Sequence, residues 1–260
     1  MRIQSLDRAI RILNLFRNSR NPLGVSEIAS SLDLAKTTVH GLVSTLEQNR
    51  FLQKDGATRK YHLGFALYEL GSIQMSRLEI NQYAALPLQT LANKINRICR
   101  VGIWDNGSIF ITMTIMPQGH EITANQYGPR LPGYCSALGK AILANFLASD
   151  LKVYLDATEF KAHTPNTIVD RDMLEKDLLQ TKERGYSISR QEILLYQIGL
   201  GAPLFTLGNQ VAGAVSARLD PKEQDTEFMT TVADLLMRTA YQISLEMGYQ
   251  PMDVTYSSTK

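Results

Sequence analysis

Three sets of residues have the types and spacing for chemistry. Lys36-Thr-Thr-Val-His40 sets a cation, two hydroxyls and an imidazole within little more than one helical turn, and Ser44 follows one turn later. Short polar side chains on such a turn let a helix approach base edges in a major groove while the amides and hydroxyls of its first turn, Lys36, Thr37 and Thr38, meet phosphates, with Thr38 and His40 flanking the outward face. Lys54, Arg59 and Lys60 surround an Asp55-Gly56 pair, a basic hairpin tip suited to phosphates or an adjacent minor groove, although a solvated strand edge carries the same residues. The second set centres on Arg218. Alternation along residues 211–219 puts Ala212, Ala214, Ser216 and Arg218 on one strand face, so small side chains leave space beside a guanidinium. There it can grip a carboxylate through two parallel hydrogen bonds, about 1.5–3 kcal/mol; the competing arrangement is a strand-end arginine paired with Asp220 or Glu223. The third set is Cys135 with His163, a nucleophile and a base in principle.

These residues need elements to hold them. Residues 5–18 read as a helix capped by Ser5, with Leu6, Ala9, Ile10, Leu13 and Phe16 on one face and Ile12 and Leu15 beside it. Over 25–49 the pattern is two short amphipathic helices about a tight turn, the second carrying Val39, Leu42, Val43 and Leu46 at helical spacing. Residues 50–63 then form a hairpin around Asp55-Gly56, a wing. A helical connector covers 64–96, with either a break near 81–86 or Pro87 in the first turn of a following helix. Strands are predicted at 99–103, 109–116 and 121–125, helices at 137–146 and 171–184, strands at 187–190, 200–206 and 210–219, and a closing helix at 223–247. Helices segregated around a mainly antiparallel sheet make an α+β domain. The domains are 1–63, a linker helix at 64–82, 83–250 and a tail at 251–260.

At 260 residues the chain suits two domains. Its net charge of +2 hides an asymmetry: residues 1–63 hold ten basic and five acidic residues, the remainder 17 and 20. The basic quarter fits a polyanion and the rest does not. Two cysteines build no disulfide framework, and no spacing suggests a metal site. No apolar signal core opens the chain and no run of eighteen apolar residues interrupts it, so the cytoplasm is the expected compartment and no membrane partner is expected. Trp104 and Tyr134 belong to the core or to a cavity beside Arg218, and His120 and His163 read as surface or hydrogen-bonded histidines. Leu138-Gly-Lys-Ala141 lacks the residues of a phosphate loop.

Read in order, Ser5-Leu-Asp-Arg-Ala-Ile-Arg-Ile-Leu13, Glu27-Ile-Ala29, Lys36-Thr-Thr-Val-His40 and Tyr61-His-Leu-Gly64 resemble the DNA-binding domain of IclR-family transcriptional regulators. Gly128-Pro-Arg-Leu-Pro132, Ser136-Ala-Leu-Gly-Lys-Ala141, Thr164-Pro-Asn-Thr-Ile168, Arg184-Gly-Tyr186, Glu192 and Ala202-Pro203 are similar to that family's effector domain. The resemblance implies a winged helix-turn-helix joined by a helix to a GAF-like domain, a homodimer assembling as a dimer of dimers, double-stranded operator DNA as partner, a small organic acid as effector, and no cofactor. It also carries over ligand contacts at Ser136, Ala137, Leu138, Ser189, Gln197, Gly199, Ser216 and Arg218. The family commonly has aspartate where Ser189 stands, cysteine at Gly199 and arginine at Gly41; the last departure shifts sequence reading toward the wing and an arm at Arg2.

Two other readings stay open. The C-terminal domain could serve only to oligomerise a DNA-binding protein, which a pocket filled by its own side chains would favour. Catalysis by Cys135 and His163 lacks a strand-to-helix elbow, an orienting acid and an oxyanion element.

Overall fold

The computed structural model describes residues 2–17, 19, 21–119 and 129–251. They form two compact units, Met1–Arg77 and Leu78–Lys260. The strand expected at 121–125, His120 and all but the first residue of the 251–260 tail lie outside the described residues.

The first unit runs α1 (Gln4–Leu15), α2 (Val25–Leu32), α3 (Lys36–Gln48), β1 (Leu52–Lys54), β2 (Tyr61–Leu63) and α4 (Phe65–Ser76). Val39 and Val43 of α3 are fully buried with Ile12, Phe16, Ile28, Leu52 and Tyr61, and Leu42 and Leu46 pack at the rim, as the helical period requires. α2 is held at its start by Glu27, whose carboxylate accepts from the Gly24 amide at 2.5 Å. It ends at Asp33 in the left-handed conformation, and α3 begins three residues later, at Lys36.

Three expectations are corrected here. Ser5 is not the cap of α1; Ile3, in extended conformation, precedes the helix and Asp7 supplies first-turn negative charge. The buried edge of α1 is Ile12 with Phe16, while Leu6 and Ile10 are exposed, because a helix apolar on two edges can turn either inward. The hairpin does not close on a two-residue Asp55-Gly56 turn: Asp55 accepts from the Thr58 amide and hydroxyl, and Arg59 takes the positive φ, so the loop runs from residue 55 to 60.

The second unit runs α5 (Glu79–Ile95), β3 (Cys99–Asp105), β4 (Ser108–Ile115), β5 (Arg130–Pro132), α6 (Ala137–Leu143), α7 (Ala148–Ala157), α8 (Arg171–Arg184), β6 (Ser187–Arg190), β7 (Ile198–Thr206), β8 (Gln210–Leu219) and α9 (Glu227–Glu246). Its sheet has the order β5-β4-β3-β8-β7-β6, every pair antiparallel. One face packs α5 and α9 through Leu88, Val101, Val215, Ala217 and Leu236. The other packs α6 through Ile109, Leu138, Ile142 and Ala214. Architecture is therefore α+β, as the sequence predicts.

The expected break near 81–86 falls instead at residues 77–78, and α5 passes through Pro87 in its interior rather than starting there. The neighbouring Ala84 and Leu88 are fully buried, and their packing against the sheet outweighs the roughly 3 kcal/mol that an interior proline costs. β5 and α7 are additional elements, and α9 starts four residues later than predicted because Asp220-Pro221 closes a short turn before it. Asn106 and Gly107 both take positive φ, which makes the β3–β4 connection the two-residue hairpin that Asn-Gly favours. α6 lies unusually close to β7: a Cβ on Gly201 would sit 2.4 Å from the Ala137 carbonyl oxygen.

Candidate functional site

In the first unit, Lys36, Thr37, His40 and Gly41 are exposed along α3, and Thr38 and Ser44 are half-buried on its flanks. The wing presents Lys54 and Arg59 to solvent, Lys54 lying over the Tyr61 ring at 5.6 Å. Lys60 departs from expectation. Its Nζ is 2.8 Å from Glu27 Oε1, an ion pair across 33 residues of chain that holds the Glu27 carboxyl below its usual range and occupies the charge expected at a phosphate. Arg2 is exposed ahead of α1. A Cβ on Gly41 would meet nothing within 4 Å, so Gly41→Ala should raise unfolding stability of this unit by about 1 kcal/mol through helix propensity. Chemical denaturation reads it; no gain would mean that the α3 surface is not as open as it stands.

In the second unit the eight positions expected to contact an effector meet. Ser136, Ala137 and Leu138 at the start of α6, Ser189 on β6, Gln197 and Gly199 entering β7, and Ser216 and Arg218 on β8 all line one cavity of about 40 Å³. Ile98, Arg100, Leu131 and Ile193 complete most of the wall. Strand pairing explains the convergence: Gly199 lies opposite both Ser189 and Arg218, and Ser216 lies opposite Arg100. Ala214 of β8 packs under α6, whereas Val215, Ala217 and Leu219 enter the opposite core, so Ser216 and Arg218 face the cavity.

Arg218 does not take the strand-end pairing weighed from the sequence. Glu223 pairs with Arg97, and Asp220 caps its own turn through the Lys222 amide. The Arg218 guanidinium instead lies over the Tyr196 ring, 5.5 Å from its centroid. The buried hydroxyls are partly committed. Ser189 Oγ donates to the Cys135 carbonyl at 2.6 Å, and Ser136 Oγ donates to Pro132 while accepting from the Gly139 amide. Ser189 therefore faces a ligand as an acceptor, not as the donor a carboxylate needs. Gly199 lets Ala137 approach, since a Cβ there would fall 2.9 Å from Ala137 Cβ. Arg100 was missed by sequence reasoning; a charged residue alternating with Gly102 and Trp104 in an otherwise apolar run is the signal it left.

Beside the cavity lies a buried ion cluster. Lys140 of α6, fully buried, places Nζ 2.5 Å from Glu192 Oε1 and 2.9 Å from Asp177 Oδ2. Burial pushes the Glu192 carboxyl up, and the Lys140 charge opposes that rise. Glu192 also ties down the segment 191–197: its carbonyl accepts from Thr167 Oγ1 at 2.6 Å, and the Gln191 carbonyl accepts from Thr164 Oγ1. Ile193 and Gln197 of that segment are cavity walls.

Cys135 and His163 are not arranged as nucleophile and base. His163 Nε2 lies 3.2 Å from the Tyr134 hydroxyl, which donates to the Lys161 carbonyl. Burial pushes the Cys135 thiol up to about 12, and that of Cys99 likewise to about 12. Neither thiol should react with a disulfide reagent at pH 8 in the folded protein, and both should react after unfolding; rapid native labelling of Cys135 would contradict this burial. Trp104 and Tyr134 are core residues, Trp104 meeting Phe146 and Tyr154 edge-on at 5.0 Å. Among the described residues no group of three or more His, Cys, Asp or Glu is placed to hold a metal, and no helix is long and apolar enough to cross a membrane.

A family model described as the IclR helix-turn-helix domain matches residues 5–56, and one described as the bacterial transcriptional regulator IclR C-terminal domain matches residues 73–245. The HTH-type transcriptional regulator XynR of Escherichia coli (strain K12) is 27% identical over 95% of this chain and 98% of its own length. The glycerol operon regulatory protein of Streptomyces coelicolor is 31% identical over 82% of this chain and 83% of its own. An IclR homologue from Microbacterium hydrocarbonoxydans, solved with 4-hydroxybenzoate, has the same fold at a TM-score of 0.80 and 20% identity, covering 94% of this chain and 98% of that one.

Proposed function

The chain belongs to the IclR family of transcriptional regulators, and from that premise we propose that its operator affinity is set by a small carboxylic acid bound beside Arg218. As a member it is a DNA-binding regulator with a ligand-binding C-terminal domain, and not an enzyme. The observation that carries the finer reading is the convergence of four separate segments on one cavity whose wall includes a guanidinium. The 4-hydroxybenzoate held by the Microbacterium homologue supports an acid as the ligand class.

α3 is proposed to enter the major groove, with Lys36 and Thr37 on phosphates, Thr38, His40 and Ser44 beside the bases, and Lys54, Arg59 and Arg2 supplementing it. Lys60 is left out of that set because Glu27 already pairs it. The working unit is proposed to be a homodimer, itself able to pair, and the compartment the cytoplasm, where operator DNA is. Binding of this kind weakens with salt as counterions are released, so Lys36→Ala should lower the log–log salt slope by about one.

Operator binding measured by fluorescence anisotropy with a panel of organic acids tests the effector. At least one acid should shift the affinity of the wild type, and Arg218→Ala should lose that response while binding DNA normally. A response unchanged in the variant would sink the role of Arg218. One observation favours a second reading: at about 40 Å³ the cavity is small, as expected of a domain that only oligomerises. Absence of any thermal shift with millimolar acids would select it.

A further inference from the structure

We propose that Glu27 is a positioning residue for DNA binding: without touching DNA, it fastens the wing to the helix-turn-helix and so aims Lys54 and Arg59. This rests on the reading that the wing meets DNA. One carboxylate serves two elements. Glu27 Oε2 accepts from the Gly24 amide at 2.5 Å and fixes the start of α2, while Oε1 accepts from Lys60 Nζ at 2.8 Å, at the end of the wing loop 33 residues further along the chain. Since α3 begins three residues after α2 ends at Asp33, a wing tied to the start of α2 is referenced to the helix that reads DNA.

The wing has two parts with different anchorage. Its base is held by backbone bonds: β1 pairs with β2 from Leu52 opposite Leu63 to Lys54 opposite Tyr61, and Tyr61 exchanges two bonds of 2.9 Å with Leu23, the residue before Gly24. Beyond Tyr61 the loop folds on itself. The Asp55 amide donates to the Lys60 carbonyl at 2.8 Å, the Arg59 amide donates to the Asp55 carbonyl at 2.9 Å, and the Asp55 carboxylate accepts from the Thr58 amide and hydroxyl. Those bonds stay inside the loop, whereas the Lys60–Glu27 pair leaves it and reaches α2. The closed loop, with Arg59 exposed at its end beside Lys60, is therefore steered by that pair.

Lys60 and Glu27 keep 42% and 49% of their side-chain surface exposed, so the pair adds little to global stability and biases the placement of the wing by up to about fivefold. That bias is enough to matter for binding. Only molecules with the wing in place bind at full affinity, so cutting the tie lowers apparent affinity by the same factor. Charge arithmetic alone has the opposite sign. Removing an acid beside a DNA-binding surface and freeing a lysine would tighten binding and steepen its salt dependence by about one phosphate.

Glu27→Gln separates the two roles of the side chain, because glutamine at this third helical position still caps α2 but carries no charge to hold Lys60. Fluorescence anisotropy of the full-length protein uses a labelled duplex that the wild type selects from a random-sequence library. Affinity should fall about two- to fivefold in Glu27→Gln, with the urea midpoint unchanged. The double variant Glu27→Gln with Lys60→Met keeps the net charge of the wild type, so an equal fall there is positional and not electrostatic. Arg59→Ala should weaken the wild type, and should weaken Glu27→Gln by less, since a wing no longer aimed has less to lose. Tighter or unchanged binding by Glu27→Gln, a double variant that binds like the wild type, or losses at Glu27 and Arg59 that simply add would overturn the positioning role while leaving the wing on DNA. No selected duplex, or Arg59→Ala as tight as the wild type, would overturn it together with the wing reading on which it rests.

Discussion

Replacing Glu192 by alanine should lower the unfolding free energy of the C-terminal unit by about 3–5 kcal/mol. Lys140 is fully buried in α6 with its ammonium 2.5 Å from Glu192 and 2.9 Å from Asp177. Taking each ion out of water costs several kcal/mol, which is recovered only while the partner is present. Asp177, partly exposed, cannot compensate alone. The substitution also removes the carboxylate oxygen that faces the Ile168 amide, and with it one tie on the segment bearing Ile193 and Gln197. Acid binding should therefore weaken along with stability. Urea denaturation at unchanged m-value reads the loss directly, and the double variant Lys140→Met with Glu192→Leu should recover part of it, since neither member of the most buried pair is then stranded and the partly exposed Asp177 keeps Arg184 at 3.9 Å. A loss below about 1 kcal/mol, or a double variant no better than the single, would show that the cluster is not the closed pair its geometry describes.

That cluster marks where sequence reading stopped. Glu192 and Lys140 were visible as members of family motifs, but their contact joins residues 52 apart and no local period announces it. The same limit hid Arg100, whose neighbour Arg218 is set by the β3–β8 register between strands far apart in sequence. It hid the Lys60–Glu27 pair as well. Short-range rules fared better. The 3.6 period of Val39, Leu42, Val43 and Leu46 identified the buried edge of α3 because only one edge of that helix is apolar. The two-residue period of β8 placed Ser216 and Arg218 on the cavity face because Val215, Ala217 and Leu219 occupy the other. α1 fails by the same logic: with Ile3, Leu6, Ile10, Ile12, Leu13, Leu15 and Phe16 around it, pattern alone cannot say which edge its own unit buries.

The edge of α1 left over, and the whole of α4, lead to the second large effect. α4 is apolar around its circumference, yet none of its residues is buried, and Phe65, Tyr68, Leu70 and Ile73 are half or more exposed. Its start is tied down by the Ala66 amide to the Arg50 carbonyl and by the Arg50–Glu69 ion pair at 2.9 Å. A twelve-residue helix is marginal in water on its own, and one that is apolar all round calls for cover on every side. Ile3, Leu6 and Ile10 on α1 present a second exposed apolar edge in the same unit. A second copy of the chain covering these surfaces would bury them and set two α3 helices on one operator. Tyr68→Glu combined with Ile73→Glu keeps helix propensity, because glutamate is a good helix former, but puts charge into that contact. The variant should lose its dimer mass in light scattering, and its operator affinity should fall about 10²- to 10⁴-fold as the second half-site ceases to be an intramolecular partner. Circular dichroism should show the helices retained. A variant that keeps both its mass and its affinity would mean that α4 is not the contact, and that the exposed edge of α1 or a surface of the C-terminal unit joins the copies instead.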